Sequence, residues 1–314
     1  MAKTEDRGYR WTTGVFALVI LVLVTGIGFE LSRQSLLSIQ KFGLGFWKGR
    51  TWDPVAGNFG ALPFIWGTLY SSILALLIAT PVSLGIAIFI NEVSPRVLRQ
   101  PLTYLTELLA AIPSIVYGLW GIFVLIPVVR KLELLRPEWL KSFPLFSGPP
   151  LGVGMGSAAL ILAIMVIPFT SSVAREILKG VPMNQREAAY ALGATRWEAI
   201  RVALGYGRTG IIGAVMLGFG RALGETMAVT MVIGNNPQVS PSLLAPQYTM
   251  AAVIANEFTE AADELYLHAL IEIGLVLFLI TIIVNALSRL LIWSMARRTS
   301  APPAIIATSE AAAA

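Results

Sequence analysis

The chain has 314 residues, 56% hydrophobic and only 13% charged, with a mean hydropathy of +0.73. A soluble domain carries about 25% charged residues, so this composition excludes an ordinary soluble globule; the long unbroken apolar runs exclude a barrel and indicate an all-α integral membrane protein. The formal charge is +5, there is no cysteine and His268 is the single histidine, which excludes disulfides, thiolate metal sites and multi-histidine metal sites.

Six segments are long and apolar enough to span a bilayer: 13–30, 66–90, 103–129, 154–174, 209–233 and 269–293. Residues 1–12 form a polar tail before the first anchor at 13–30. That anchor resembles a signal peptide in length, but TGIGFE offers no small-x-small cleavage pattern and runs on into apolar sequence, so it is expected to be retained. In the following segment, 31–60, Leu36, Ile39, Phe42, Phe46 and Trp47 fall roughly on one helical face beside Lys41 and Lys48. Two readings fit this pattern: a helix lying in the membrane interface, or an amphipathic connector. The main transmembrane domain is expected over 61–293. Its 131–153 loop is rich in Pro and Gly and reads as irregular. Residues 299–314 are low in complexity and read as a disordered tail. Pro81, Pro113, Pro127 and Pro168 punctuate the spans and are expected to kink them. Gly213, Gly218, Gly220 and Gly224 give the fifth span small surfaces for close helix approach.

The basic residues set an orientation. Lys3, Arg7, Arg10, the loop with Arg96 and Arg99, the segment from Arg175 to Arg208, and Arg289, Arg297 and Arg298 alternate with less basic loops, and 235–266 has no Lys or Arg at all. By the positive-inside rule both termini are expected in the cytoplasm, in a cytoplasmic (inner) membrane.

The cytoplasmic stretch 182–204, PMNQREAAYALGATRWEAIRVAL, starts with a helix-initiating proline, continues with helix formers and is interrupted by Gly193. A helix–Gly–helix hairpin outside the membrane offers a compact knob to a partner, or is only a connection between spans. Glu187, Ala188, Ala189 and Gly193 form an EAA-x3-G pattern before the penultimate span, and this resembles the coupling motif of type I ATP-binding-cassette importer permeases. With WGTLYSS (66–72), AAIPSIVYGLWG (110–121), ILAIMVIPFTSSVAREIL (161–178) and GRALGETMAVTMVIGN (220–235), the chain is similar over about residues 60–293 to the phosphate permeases of the Pst system, and GETMAV resembles the PstC-type rather than the PstA-type subunit. The resemblance implies a type I permease fold with six transmembrane helices and a cytoplasmic coupling helix. It also implies a PstA-type partner in a heterodimer, a separate ATPase dimer, an extracytoplasmic phosphate-binding protein, and transport by alternating access. The chain itself contains no G-x-x-x-x-G-K-[ST] loop, so ATP hydrolysis is expected of another subunit and not of this one. No cofactor, metal or nucleic acid is expected. The family usually closes its motif with I-x-L-P; here Val202-Ala203-Leu204-Gly205 stands instead, and Gly205 and Gly207 are able to end a helix.

Arg221 and Glu225 lie in the middle of the fifth apolar run, four residues apart and so on one face of a continuous helix. An unpaired charge at mid-bilayer costs at least about 2.5–3.5 kcal/mol. The pair is either a self-neutralising structural ion pair, or it faces a polar path where the arginine fork matches the oxygens of an anion. The resemblance makes phosphate the expected cargo, with Glu225 moderating the attraction of Arg221 so that the ion is also released. Glu107, Ser114 and Glu272 are further pathway or structural candidates; His268 and Glu272, four apart, are close enough to pair. Ser71, Ser72, Ser171 and Ser172 either line a path or satisfy backbone in kinked helices. An ion-coupled secondary transporter and a permease for another oxyanion are the alternative readings. An intramembrane enzyme would need a catalytic spacing that the sequence does not offer.

Overall fold

The structure, a computed structural model, describes residues 2–299, with side chains described for 9–295. The tail expected at 299–314 thus lies outside the described residues from position 300 onward. In chain order the helices are α1 (Ala2–Gln34), α2 (Leu36–Phe42), α3 (Gly45–Lys48), α4 (Leu62–Ile88), α5 (Arg96–Ala111), α6 (Ser114–Trp120), α7 (Ile126–Leu134), α8 (Glu138–Lys141), α9 (Met155–Lys179), α10 (Met183–Ala191), α11 (Arg196–Leu223), α12 (Met227–Ile233), α13 (Met250–Glu257) and α14 (Glu264–Thr299). Among the described residues there is no strand, only two isolated β-bridges. Six helical stretches are long and apolar enough to cross a membrane: Tyr9–Gln34, Leu62–Val93, Ser114–Leu134, Met155–Lys179, Arg196–Leu223 and Glu264–Met295. The second has 32 residues, about 48 Å at 1.5 Å per residue, so it outreaches a hydrocarbon core of about 30 Å and carries its charged end clear of it.

Two spans differ from the sequence reading, each for a local reason. The third was expected to run unbroken over 103–129. Instead α5 ends at Ala111, and Pro113 (φ −58°, ψ 139°) restarts the chain as the N-cap of α6. A proline disfavours helical geometry in the residue before it, so the helix stops there and does not bend. The restarted span then takes a π-helical turn at Gly121–Leu125, where the N–H of Ile126 reaches back to Gly121 O just ahead of Pro127. The fifth span was expected as one helix over 209–233. The observed helix starts much earlier, at Arg196, ends at Leu223, and resumes only at Met227. Pro81 and Pro168 stay inside α4 and α9.

The described residues fall into two compact units. The first comprises residues up to Ala75, Ile112–Ala163 and Ala222–Thr281. Its core is aromatic: Phe46, Phe59, Phe64, Tyr248 and Tyr266 gather around Met250, Leu270 and Ile273. Trp52 sits edge-on to Phe59 and Phe64 with centroids 4.8 Å away in each case, and its Nε1 donates to Glu257 Oε2 at 2.8 Å, which also accepts from Tyr266 OH at 2.6 Å. The face that suggested an interfacial helix is partly spent here. Phe46 is fully buried, and Phe42 and Trp47, partly buried, pack against the same cluster, while Leu36 of that face is exposed. After α12 the chain turns through Gly234 (φ 93°) and Asn235 (φ 51°) and folds back, with Gln247 N donating to Ile233 O at 3.1 Å. Buried Gln247, Trp66 Nε1 and Tyr70 OH clamp this return by donating to Ser240 O, Ser240 O and Pro241 O.

The second unit comprises Leu76–Ala111, Ile164–Arg221 and the residues from Ile282. Its core is built from small side chains, with Ala87, Ala174, Leu178, Ile211 and Ala214 at the centre. A Cβ on Gly218 would lie 2.9 Å from Val166 Cγ1 and strike Thr170 Oγ1, so α9 and α11 approach as only a glycine permits. Ser83 Oγ adds a bond to Ile167 O at 3.2 Å.

Candidate coupling and permeation site

The EAA-x3-G segment folds into a knob with defined ends. Helix α10 starts at Pro182 and closes in a Schellman motif: Gly193 N donates to Tyr190 O (2.9 Å) and Ala194 N to Ala189 O (3.1 Å). Gly193 is left-handed (φ 83°), a conformation that costs any residue with a Cβ. The next helix opens at once with a capping box. Glu198 Oε2 accepts from Thr195 N (2.8 Å) and Thr195 Oγ1 (2.7 Å), and Glu198 N faces Thr195 Oγ1 at 3.4 Å. Between these caps Glu187 and Ala188 are exposed and Ala189 is buried against the knob's own base. Met183, Tyr190, Leu192 (90% exposed) and Trp197 leave apolar side chains exposed on the knob.

The base of the knob is tied into the helices. Arg186 Nη1 donates to Val181 O (2.9 Å); its Nη2 donates to Leu178 O (3.0 Å) and to Glu92 Oε1 (2.6 Å), in the π-helical turn Phe89–Val93 that ends α4. Arg196 Nη2 donates to the carbonyl of Glu92. One turn deeper, Arg175 Nη2 bridges Glu107 (3.0 Å) and Glu176 (2.9 Å), while Asn91 Nδ2 donates to Arg175 O at 2.7 Å. Arg186 and Arg196 thus tie the knob to the ends of α4 and α9 through charge-assisted bonds, and Arg175 joins α9 to α5. Neither Gly205 nor Gly207, which are able to end a helix, does so here: α11 runs on as one piece of 28 residues to Leu223. The capping box TRWE was a readable signal that the sequence reading passed over. The Arg186–Glu92 tie was not readable, because its partners stand 94 residues apart.

The break at Gly224–Thr226 separates the two mid-span charges. Arg221 stands in the last turn of α11, exposed, with its guanidinium 5.5 Å over the Phe169 ring. Glu225 lies beyond the helix end, and its Oε1 accepts from Ala228 N at 3.3 Å, in the first turn of α12. The continuous helical face that would stack these side chains one turn apart is absent, since Gly224 and Thr226 interrupt it. Glu107 was expected inside the third span; it sits instead on α5, paired with Arg175. Ser114 is the half-buried first residue of α6. Glu272 is 2% exposed with buried Ser38 as its polar neighbour. It is not the partner of His268, whose Nε2 faces Glu264 at 4.0 Å on the preceding turn. Ser71, Ser171 and Ser172 donate to Thr68 O, Pro168 O and Phe169 O, whereas Ser72 Oγ, also buried, has no such bond among the described residues. Also among the described residues, no group of His, Asp or Glu gathers to hold a metal.

A family model described as "binding-protein-dependent transport system inner membrane component" matches residues 83–300. The chain belongs to this family. Its matched region takes in the knob, its anchoring residues and both charges of the broken span. The Phosphate transport system permease protein PstC of Mesorhizobium japonicum is 45% identical over 302 residues, covering 94% of this chain and 92% of its own. The protein of the same name in Haemophilus influenzae is 47% identical over 293 residues, covering 91% and 93%. A probable PstC of Methanocaldococcus jannaschii is 39% identical over 278 residues, covering 86% and 87%. Among solved structures, an inward-facing conformation of the MetNI methionine ABC transporter matches with a TM-score of 0.56 at 14% identity, over 74% of this chain and 94% of that one. At that identity the likeness concerns fold alone, and the fold is that of a type I ABC importer permease.

Proposed function

We propose that this permease is the membrane-spanning subunit of an ATP-driven importer that moves inorganic phosphate by alternating access. The observation that carries the reading is the knob at 182–198. It is a capped, outward-facing pair of helix ends carrying EAA-x3-G, with exposed apolar residues for a partner and a base bonded into the ends of α4 and α9. Such a device has no use in an ion-coupled secondary transporter, and family membership sets that alternative aside. The partners follow: an ATPase dimer docking on Glu187, Ala188 and the exposed apolar side chains, a PstA-type permease completing a heterodimer around the path, and an extracytoplasmic phosphate-binding protein delivering the cargo. The bias of basic residues supports cytoplasmic termini in the inner membrane.

Phosphate as cargo rests on the names of the relatives and on Arg221. An exposed guanidinium at mid-span, held against an aromatic ring and with its fork free for oxygens, suits an anion of between one and two charges. Glu225 shapes the same stretch by accepting from Ala228 N at the start of α12. The test is uptake of labelled phosphate into vesicles holding the complete importer. Arg221→Gln should lower uptake at least about tenfold, with the assembled complex still present in normal amount. Normal uptake by that variant would remove Arg221 from the path. Uptake of labelled sulfate equal to that of phosphate would replace the cargo by a broader class of oxyanion.

A further inference from the structure

Where α4 and α9 end beside α5, two cavities of the second unit border α5. One, of about 400 Å³, is lined by Arg96, Arg99, Gln100, Thr103, Arg175 and Lys179, with Asn91 at its edge. The other, of about 470 Å³, is apolar and runs between α4 and α5, past Val82, Phe89, Leu102, Leu105 and Leu109. The two share successive turns of α5, since Thr103 borders the basic cavity and Leu102 and Thr106 the apolar one.

The charges in the basic cavity do not cancel. Arg175 spends Nη2 on Glu107 and Glu176, yet its Nε is buried with no hydrogen-bond partner among the described residues, and the residue is 9% exposed. Glu92, the carboxylate of the neighbouring cleft, is committed to Arg186. Arg96, Arg99 and Lys179 remain as exposed cations facing the same space. A pocket with surplus positive charge and an apolar groove that border the same stretch of α5 together suit an amphiphile with an anionic head.

We propose that this pair of cavities is a binding site for an anionic phospholipid: its phosphate lies among Arg96, Arg99 and Lys179, and one acyl chain lies in the groove between α4 and α5. A zwitterionic lipid carries its own cation into the pocket and is disfavoured there, and a free phosphate ion would leave the groove empty. The site is independent of the cargo assigned to the importer. It is placed to matter, because α5 also carries Glu107 and α4 leads into the Glu92 turn that holds the coupling knob.

The experiment is native mass spectrometry of the complete importer reconstituted with equal phosphatidylglycerol and phosphatidylcholine. Phosphatidylglycerol should be retained in preference. Each cation removed near a membrane surface costs about 5-fold in lipid binding, so Arg96→Gln with Arg99→Gln should lower retention roughly 30-fold. Leu105→Trp, which fills the groove and leaves every charge in place, should lower retention as well and covers the case in which the double variant fails to assemble. Equal retention of the two lipids would overturn the proposal. So would full retention in both variants, release of the bound lipid by millimolar inorganic phosphate, or a Leu105→Cys crosslink to the second permease subunit that accounts for the groove.

Discussion

Replacing Arg186 by methionine tests whether the knob is mechanically joined to the helices. Arg186 and Glu92 are 12% and 13% exposed, which puts the pair close to the buried regime, where removing one partner costs about 3–5 kcal/mol because the other charge is left stranded. Two carbonyls, Val181 O and Leu178 O, lose their donor at the same time. Water at the helix end replaces part of that loss, so the total stays in the lower half of the range. Because the lost bonds join 178–186 to Glu92, the loss falls on local opening of the knob before global unfolding. At about 1.4 kcal/mol per decade, amide exchange over residues 182–195 should accelerate by roughly two to three orders of magnitude. Phosphate uptake should fall while ATP hydrolysis by the assembled importer persists. Adding Glu92→Leu removes the stranded carboxylate and should recover most of the protection, since replacing both members of a buried pair by apolar groups is often neutral. Arg186→Met with exchange within about threefold of the original chain would refute the argument. A double variant as unprotected as the single would refute it as well.

Glu187→Lys reverses an exposed charge on the proposed docking face, so it should leave insertion and thermal stability unchanged but reduce ATPase recovered by pull-down at least about tenfold; normal recovery would displace Glu187 from the proposed interface. Gly218→Leu drives a side chain into Val166 and Thr170 and should destabilise the second unit by about 1–3 kcal/mol, seen as a lower midpoint in thermal unfolding of the purified chain. An unchanged midpoint would mean that α9 and α11 are not packed as closely as the glycine implies.

Composition and run length were enough to reveal an all-α membrane protein and its six spans, because hydrocarbon burial is read directly from apolar length. Both breaks inside spans were written in short-range chemistry that an apolar window averages away. Pro113 acts on Ile112, and Gly224-Glu225-Thr226 puts a flexible residue and two side-chain acceptors in a row. The aromatic face at 42–47 was visible, but its destination was not: lipid and a core of Phe59, Phe64 and Tyr248 reward the same apolar pattern, and only tertiary contacts distinguish them. The knob was legible because capping is local, from Pro182 to Gly193. Its attachment through Arg186 to Glu92 and Arg175 to Glu107 was not, since pairing between residues 94 and 68 positions apart leaves no periodicity to read.

The break also changes what the two mid-span charges are worth. On one helical face Arg221 and Glu225 would form a buried pair, and deleting either charge would cost about 3–5 kcal/mol of stability. The observed surroundings predict much less. Arg221 is exposed, and its contact with Phe169 is a cation–π interaction worth about 0.5–1 kcal/mol at such a site. Glu225 accepts one hydrogen bond from Ala228 N at the start of α12, and Glu225→Ala should cost about 0.5–1.5 kcal/mol, the net worth of one such bond. Arg221→Gln should therefore leave the unfolding midpoint of the chain within a few degrees of the original while uptake collapses, and Glu225→Ala should be the more destabilising of the two. The order of the two stability losses is thus opposite to the order of their expected effects on the path, which a simple ion pair cannot produce. If Arg221→Gln unfolds the chain as readily as Glu225→Ala, and Arg221→Leu with Glu225→Leu restores both folding and uptake, the charges are scaffolding and the guanidinium has no part in moving the anion.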